Sequence, residues 1–201
     1  MKIVFFDYDG VLVDSLSLCV NSCRFASEQL GYKGEFPENP YLNLNPVTYD
    51  EVAKRLGLDI AEFDRIATGY LNENLHTTKL FDGTKEVLEN LSKKYTLYVL
   101  SATRKETVKK SLENKGVLGY FTEIYGGTEI PKKERLKEFR DKNAIMIGDS
   151  ISDMEAAKSN GIYAIGALWG WQSKEMLKDA DILVENHAEL TEAIESYFNS
   201  L

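Results

Sequence analysis

The chain has little of what builds soft-metal sites and covalent staples: two histidines and two cysteines in 201 residues. His76 and His187 stand alone, without the spaced His, Cys or Glu partners of a zinc site, and read as surface or helix-end residues. Cys19 and Cys23 lie four apart in a helical pattern, which puts both thiols on one face without disulfide geometry. They are expected as small buried side chains in a reducing compartment. Positive charge is also short, 24 Lys+Arg against 32 Asp+Glu for a net charge of -8, so no basic field gathers nucleic acid. No run approaches the roughly 18 apolar residues of a membrane span. The opening "MKIVFFDYDG" breaks its apolar run at Asp7 and lacks a secretory pattern, so a cytoplasmic protein with no membrane partner is expected. Four prolines and 14 glycines are too few for a low-complexity or collagen-like chain.

What remains is a globular composition, 43% hydrophobic and 11% aromatic, enough for one domain or one domain with an insertion. Short apolar or β-branched runs alternate with longer amphipathic stretches, the signature of a parallel sheet covered by helices. The runs are "KIVFF", "TLYVLS" (96 to 101), "EIYGG" (123 to 127), "AIMIGD" (144 to 149), "YAIGAL" (163 to 168) and "ADILVE" (180 to 185). Among the intervening helices, "GTKEVLENLSKK" aligns Val87, Leu88 and Leu91, "RKETVKKSLENKG" stops at Gly116, and "SDMEAAKSNG" runs from a Ser152 N-cap to Gly161.

From about Asp14 to Lys79 the rhythm breaks. "LSLCVNSCRFASEQLG", "VTYDEVAKRLG" and "AEFDRIATGYLNENL" are helical by period, "FPENPYLNLNP" is a loop, and no convincing strand occurs. A helical insertion after the first strand of such a sheet lies at the carboxyl ends of the strands, where these folds bind ligands, and is a candidate lid. Tyr41, Asn43, Asn45 and Tyr49 in this region are candidates to line the site, with loop packing as the alternative.

Two acidic pairs stand out. Asp7 and Asp9 follow the first strand, and Asp149 and Asp153 follow "AIMIG" in the same manner. Taken singly, the first also describes an Asp-Gly turn and the second a helix N-cap with acids in its first turn. An EF-hand is excluded, because Gly10 falls at position four rather than six. Together, the pairs deliver carboxylates from two strands to one rim, where a hard, oxygen-liganded cation such as Mg²⁺ relieves their repulsion.

These segments resemble the haloacid dehalogenase superfamily of hydrolases over essentially the whole chain. "FFDYDGVLVDS" is similar to the first motif, "YVLSATRKETV" to the second, and "IMIGDSISDMEAAKSNGI" to the fourth. The resemblance implies an α/β fold, a Rossmann-like parallel sheet sandwiched by helices, over residues 1 to 14 and 80 to 201, with a helical cap over 15 to 79. It implies Asp7 as nucleophile forming an aspartyl-phosphate and Asp9 as general acid and then base. Gly10 would let the backbone approach the phosphate, and Ser101 and the Ala102 amide would bind phosphoryl oxygens. Asp149, Asp7 and the Asp9 carbonyl would hold Mg²⁺, with Asp153 supporting the metal directly or through water. The lysine of the third motif is Lys132 or Lys133 in "TEIPKKERLKEF", Lys132 being preferred from its spacing to Leu136.

The insertion site and the stretch "IGALWGWQSKEMLKDADILVENHAEL" further resemble phosphoglycolate phosphatases, in which Trp169 and Trp171 would be packing elements. Ser101-Ala102-Thr103 stands where those relatives carry Thr-Asn-Lys, and their Lys-Pro-x-Pro is missing, so glycolate specificity does not follow. The expected activity is hydrolysis of a small phosphomonoester. The alternatives are a mutase of the β-phosphoglucomutase kind, for which no Arg-rich cap motif is present, and a non-hydrolytic phospho-acceptor module. Asp9 argues against a dehalogenase, and nothing around Lys33 or Lys54 is diagnostic of a phosphonatase.

Overall fold

A computed structural model describes residues 1–140 and 142–201. The strands are β1 (Lys2–Phe6), β2 (Val13–Asp14), β3 (Lys79–Leu80), β4 (Thr96–Ser101), β5 (Glu123–Gly126), β6 (Asn143–Gly148), β7 (Tyr163–Ala167) and β8 (Ile182–Val184). The helices are α1 (Leu16–Gln29), α2 (Tyr49–Leu56), α3 (Ile60–Asn74), α4 (Thr84–Ser92), α5 (Lys105–Asn114), α6 (Lys132–Leu136), α7 (Ile151–Lys158) and α8 (His187–Asn199).

Six strands form one parallel sheet in the order β5-β4-β1-β6-β7-β8. Its strands are continuous apolar runs because both faces are covered. Along β1, Val4 and Phe6 enter a core shared with Leu88 of α4, Leu112 of α5 and Ile194 of α8. Ile3 and Phe5 point the other way, into a core with Leu136 of α6 and Met154 of α7. Each of these strand side chains is at most 1% exposed, and burying a phenylalanine contributes about 1.5–3 kcal/mol. The chain builds outward from β1 through β4 to β5, then returns to the other side of β1 as β6. That reversal opens a crevice at the carboxyl ends of β4, β1 and β6, the ligand position of open α/β sheets.

Helices α1, α2 and α3 form a separate hydrophobic cluster around Cys23, Ala26, Val52, Phe63 and Ala67. Both cysteines are free and buried there. The helical segment leaves and returns through a two-stranded antiparallel neck, Val13 opposite Leu80 and Asp14 opposite Lys79, too short to be read as strands from sequence. Local signals set the helix ends: Asp59 caps α3 by accepting from Glu62 N at 2.9 Å, and Gly57 ends α2 in the left-handed conformation. The start expected at Ser152 moves. Ser150 is the N-cap of α7, because Asp153 three residues later closes a capping box on it, its Oδ2 accepting from Ser150 N at 3.2 Å and Ser150 Oγ at 2.6 Å. No helix among the described residues is long and apolar enough to cross a membrane.

Candidate active site

Each central strand ends in a residue of the site. Asp7 follows β1, pinned to the neighbouring strand by its N–H to Ile147 O at 2.9 Å. Ser101 ends β4, Asp149 follows β6, Asp153 lies in the first turn of α7, and Lys132 opens α6. Asp7, Ser101, Asp149 and Lys132, with Asp9 and Ala102, line one cavity of about 430 Å³, and Asp153 lies buried behind it.

Lys132 is the organising cation. Its Nζ lies 2.7 Å from Asp7 Oδ2 and 2.7 Å from Asp153 Oδ1, so the chain holds an ion triad where the sequence placed two candidate lysines. Lys133 lines the cavity too but forms no ion pair among the described residues. Burial alone would lower the Lys132 pKa; Asp153 and Asp7 more than offset it and hold the ammonium charged.

Three buried carboxylates, Asp7, Asp149 and Asp153, present oxygens all within 4.8 Å of one another. One ammonium does not balance them. Burial first, then Asp153 and Asp149, push Asp7 well above the carboxylate range against the pull of Lys132. Burial and Asp153 push Asp149 up to about 8, although Trp171 N donates to its Oδ2 at 2.6 Å. A shortage of positive charge among hard oxygen donors is the condition a divalent cation such as Mg²⁺ satisfies, so these residues fit one. Asp153 has both oxygens engaged, by Lys132 and Ser150, and so does Asp7, by Lys132 and Tyr8 N, whereas Asp149 has one engaged, by Trp171 N.

Asp9 lives differently. Ser15 Oγ donates to its Oδ1 and Thr103 Oγ1 to its Oδ2, each at 2.6 Å. Burial raises its pKa, moderated by these two hydroxyls, with Lys132 a lesser influence. Such a carboxyl is fixed in orientation and biased toward holding a proton. Thr103 N donates to Ser101 Oγ at 3.0 Å, which sets the hydroxyl of β4 facing the cavity. Gly10 has φ +75°, and any Cβ there would overlap the Asp149 carboxylate, so the loop closes over the acidic cluster only with glycine.

The helical segment supplies the opposite wall. Tyr41 and Tyr49 line the cavity, joined by Thr48, Asp64, Thr68 and Leu71. Asn43 and Asn45 do not line it; Asn45 Nδ2 instead donates to Glu155 at 3.0 Å. Gln172 ties the two walls together. Its Oε1 accepts from Ile151 N at 2.8 Å, and its Nε2 donates to Leu44 O at 2.9 Å and Tyr41 O at 3.4 Å. Beside it the Trp171 ring packs on Tyr41 with centroids 4.8 Å apart. Trp171 thus packs, as read from sequence, and also anchors Asp149 by its backbone. Trp169 packs on His187, the first residue of α8, at 4.9 Å. Ser15 and Thr103 lie inside the first- and second-motif segments and Gln172 in the Trp-Gly-Trp stretch, but the sequence alone assigns none of the three a role.

Residues 4–167 match the family described as haloacid dehalogenase-like hydrolase. The chain belongs to this family. The hydrolase is 28% identical to a phosphoglycolate phosphatase of Synechococcus elongatus, over 96% of this chain and 97% of that protein. It is 27% identical to a 5'-nucleotidase of Pseudomonas aeruginosa, over 87% and 86%. Its fold is shared with a haloacid dehalogenase-like family hydrolase of Streptococcus pneumoniae, with a TM-score of 0.78, 23% identity, and 96% and 98% of the two chains covered.

Proposed function

We propose that this hydrolase, a phosphoric monoester hydrolase of its family, cleaves a small phosphorylated metabolite through an aspartyl-phosphate on Asp7, with Mg²⁺ as cofactor and the cytoplasm as its setting. The observation that carries the reading is the division between two carboxylates two positions apart. Asp7 faces a cation and two acids, whereas Asp9 is held by two hydroxyls.

In this reading Asp7, oriented by Lys132, attacks phosphorus as its carboxylate, and the bond from phosphorus to the leaving oxygen breaks. Asp9 delivers its proton to that oxygen, so the alcohol departs neutral. Asp9, now a carboxylate, takes a proton from the water that attacks the aspartyl-phosphate, and Asp7 and inorganic phosphate are released. Ser101 Oγ and the Ala102 amide donate to phosphoryl oxygens throughout. Asp7, Asp149 and the Asp9 carbonyl would hold Mg²⁺, with Asp153 supporting the metal directly or through water. The metal's contribution when bound is to neutralise charge as an anionic nucleophile meets an anionic ester. Residues 15 to 79 act as the cap over a core of 1 to 14 and 80 to 201, excluding water until the covalent intermediate has formed.

The test is phosphate release from a panel of esters, with 2-phosphoglycolate and a nucleoside monophosphate included, by wild type and Asp7→Asn, in Mg²⁺ and in EDTA. Steady turnover is expected only for wild type with metal, and Asp7→Asn should lose about 10³-fold or more. Normal turnover by that variant would remove Asp7 as nucleophile; a single phosphorylation without turnover would mean a phospho-acceptor instead.

A further inference from the structure

The cavity's two walls differ in charge, and the difference bears on the leaving group. Among the described residues, the wall from the helical segment contains carboxylates, Asp50 and Asp64, and no lysine, arginine or histidine. Its remaining surface is phenolic, hydroxylic and aliphatic, from Tyr49, Thr68 and Leu71 among others. Outside the catalytic cluster, the core side adds Arg104, Lys133, Glu129 and Glu155, so the walls around the leaving group carry four carboxylates against two cations. Arg104 is already committed, its Nη2 3.0 Å from Asp64 Oδ2. Thr68 Oγ1 leans on the same carboxylate at 3.4 Å.

A substrate whose phosphoryl group sits at Asp7 extends its alcohol into this space. A carboxylate or second phosphate there needs a free cation or a cluster of unengaged N–H donors, as recognition of planar anions by Arg and Lys illustrates. The helical wall offers neither; Lys133, the cavity's unpaired cation among the described residues, stands on the core side, and the helical wall places like charge near the anion instead. A hydroxyl, by contrast, donates to Asp50 or Asp64 and accepts from Thr48 Oγ1, whose proton is uncommitted whereas those of Tyr41 and Thr68 go to Cys19 O and Asp64, so it uses both signs of partner. We infer that the leaving group of the physiological substrate is an uncharged, hydroxylated alcohol and that the helical wall selects against esters carrying a second anionic group. This rests on the phosphomonoesterase reading above and narrows it, departing from the glycolate ester named for the relatives.

Matched esters test it: 2-hydroxyethyl phosphate against 2-phosphoglycolate, and glycerol 3-phosphate against 3-phosphoglycerate, each pair differing by a CH₂OH in place of a carboxylate. In wild type with Mg²⁺ the neutral member of each pair is expected to have at least about tenfold higher kcat/KM, a gap that narrows as ionic strength rises. Asp64→Asn, which frees Arg104, and Asp50→Asn, at an exposed position that folding tolerates, should each shift the ratio toward the carboxylated ester by about threefold to tenfold. Equal or higher kcat/KM for the carboxylated members overturns the inference while leaving the phosphatase intact. An unmoved ratio in both variants removes the helical wall as its cause and overturns it as well. Absence of phosphate release from every ester, p-nitrophenyl phosphate included, defeats the phosphatase reading itself and the inference with it.

Discussion

The core wall of the cavity and its helical wall are made by different physics. The core wall gathers Asp7, Asp149, Asp153 and Lys132 at the ends of buried parallel strands, an arrangement so dense in charge that burial pushes the carboxyls upward and one lysine serves two acids. The helical wall is phenols, hydroxyls, aliphatic groups and the carboxylates of Asp50 and Asp64, around an independent hydrophobic cluster. In the proposed reaction one wall serves the chemistry at phosphorus and the other meets the leaving group. A reaction at phosphorus constrains residue types tightly, because nucleophile, acid and countercharge have few chemical substitutes. An uncharged alcohol constrains them loosely, since any hydroxyl or apolar patch of suitable shape will serve.

The largest expected effect falls on the boundary within the core wall itself. Asp9→Asn keeps the size of the side chain and its bonds to Ser15 and Thr103 within reach but removes the transferable proton. Loss of general acid catalysis costs about 10²–10⁴-fold, and the full loss should appear with alkyl esters. An aryl ester such as p-nitrophenyl phosphate needs little protonation of its leaving oxygen, so its loss should be smaller by at least about tenfold. Equal losses on alkyl and aryl esters would show that Asp9 does not protonate the leaving group.

This contrast also explains how much could be read in advance. The six main strands were legible because buried parallel strands are continuous apolar runs between helices of clear period. The acidic pairs were legible because carboxylates immediately after such runs are conspicuous. For the third-motif lysine the sequence offers two adjacent candidates, of which Lys132 is the one paired with Asp7 and Asp153. Thr103 and Gln172 were not legible, and the reason is separation. Thr103 meets Asp9 across 94 positions and Gln172 meets Leu44 across 128, so their roles exist only after the sheet and the helical segment have come together. A threonine or a glutamine in a loop carries no periodic signal of its own. The shift of the helix start from Ser152 to Ser150 has the opposite cause: two serines within reach both suit an N-cap, and the partner at Asp153 decides between them.

Gln172 is the point at which the two walls are fastened, and it predicts a smaller effect of a different kind. The side chain is 3% exposed and joins the start of α7, just after Asp149, to the loop at Tyr41 and Leu44. Gln172→Ala leaves buried groups without partners, at a cost of about 1–3 kcal/mol, which for a chain of this size lowers Tm by several degrees. Because the contact sets one wall against the other, kcat/KM should fall about tenfold with KM carrying most of the change. Gln172→Glu retains the acceptor for Ile151 N and loses the donors to the loop, so it should share the KM change while recovering part of the Tm. A Gln172→Ala variant with unaltered KM would mean that the helical wall holds its place by hydrophobic packing alone, through Trp171 on Tyr41.

The smallest effect isolates the charge imbalance of the core wall, and the direction of its pH dependence follows from linkage. Asp149 has a folded-state pKa of about 8 in the metal-free site, against an ordinary value of 3.8, because burial and Asp153 disfavour its charged form. A carboxyl with a raised pKa binds its proton more tightly in the folded state than in the unfolded one. Its contribution to stability is therefore complete at low pH and is lost as pH climbs from about 4 toward 8. In EDTA, Asp149→Asn removes that loss, so the Tm of the variant relative to wild type should rise between pH 5 and pH 8. Mg²⁺ added to wild type should recover stability at pH 8 more than at pH 5, since cation binding requires the carboxylates ionised. A Tm difference between variant and wild type that stays flat across this range would mean that Asp149 is already ionised without metal, its charge absorbed by Trp171 N and Lys132. The core wall would then be balanced by the protein alone, and the contrast with the helical wall would reduce to one of shape.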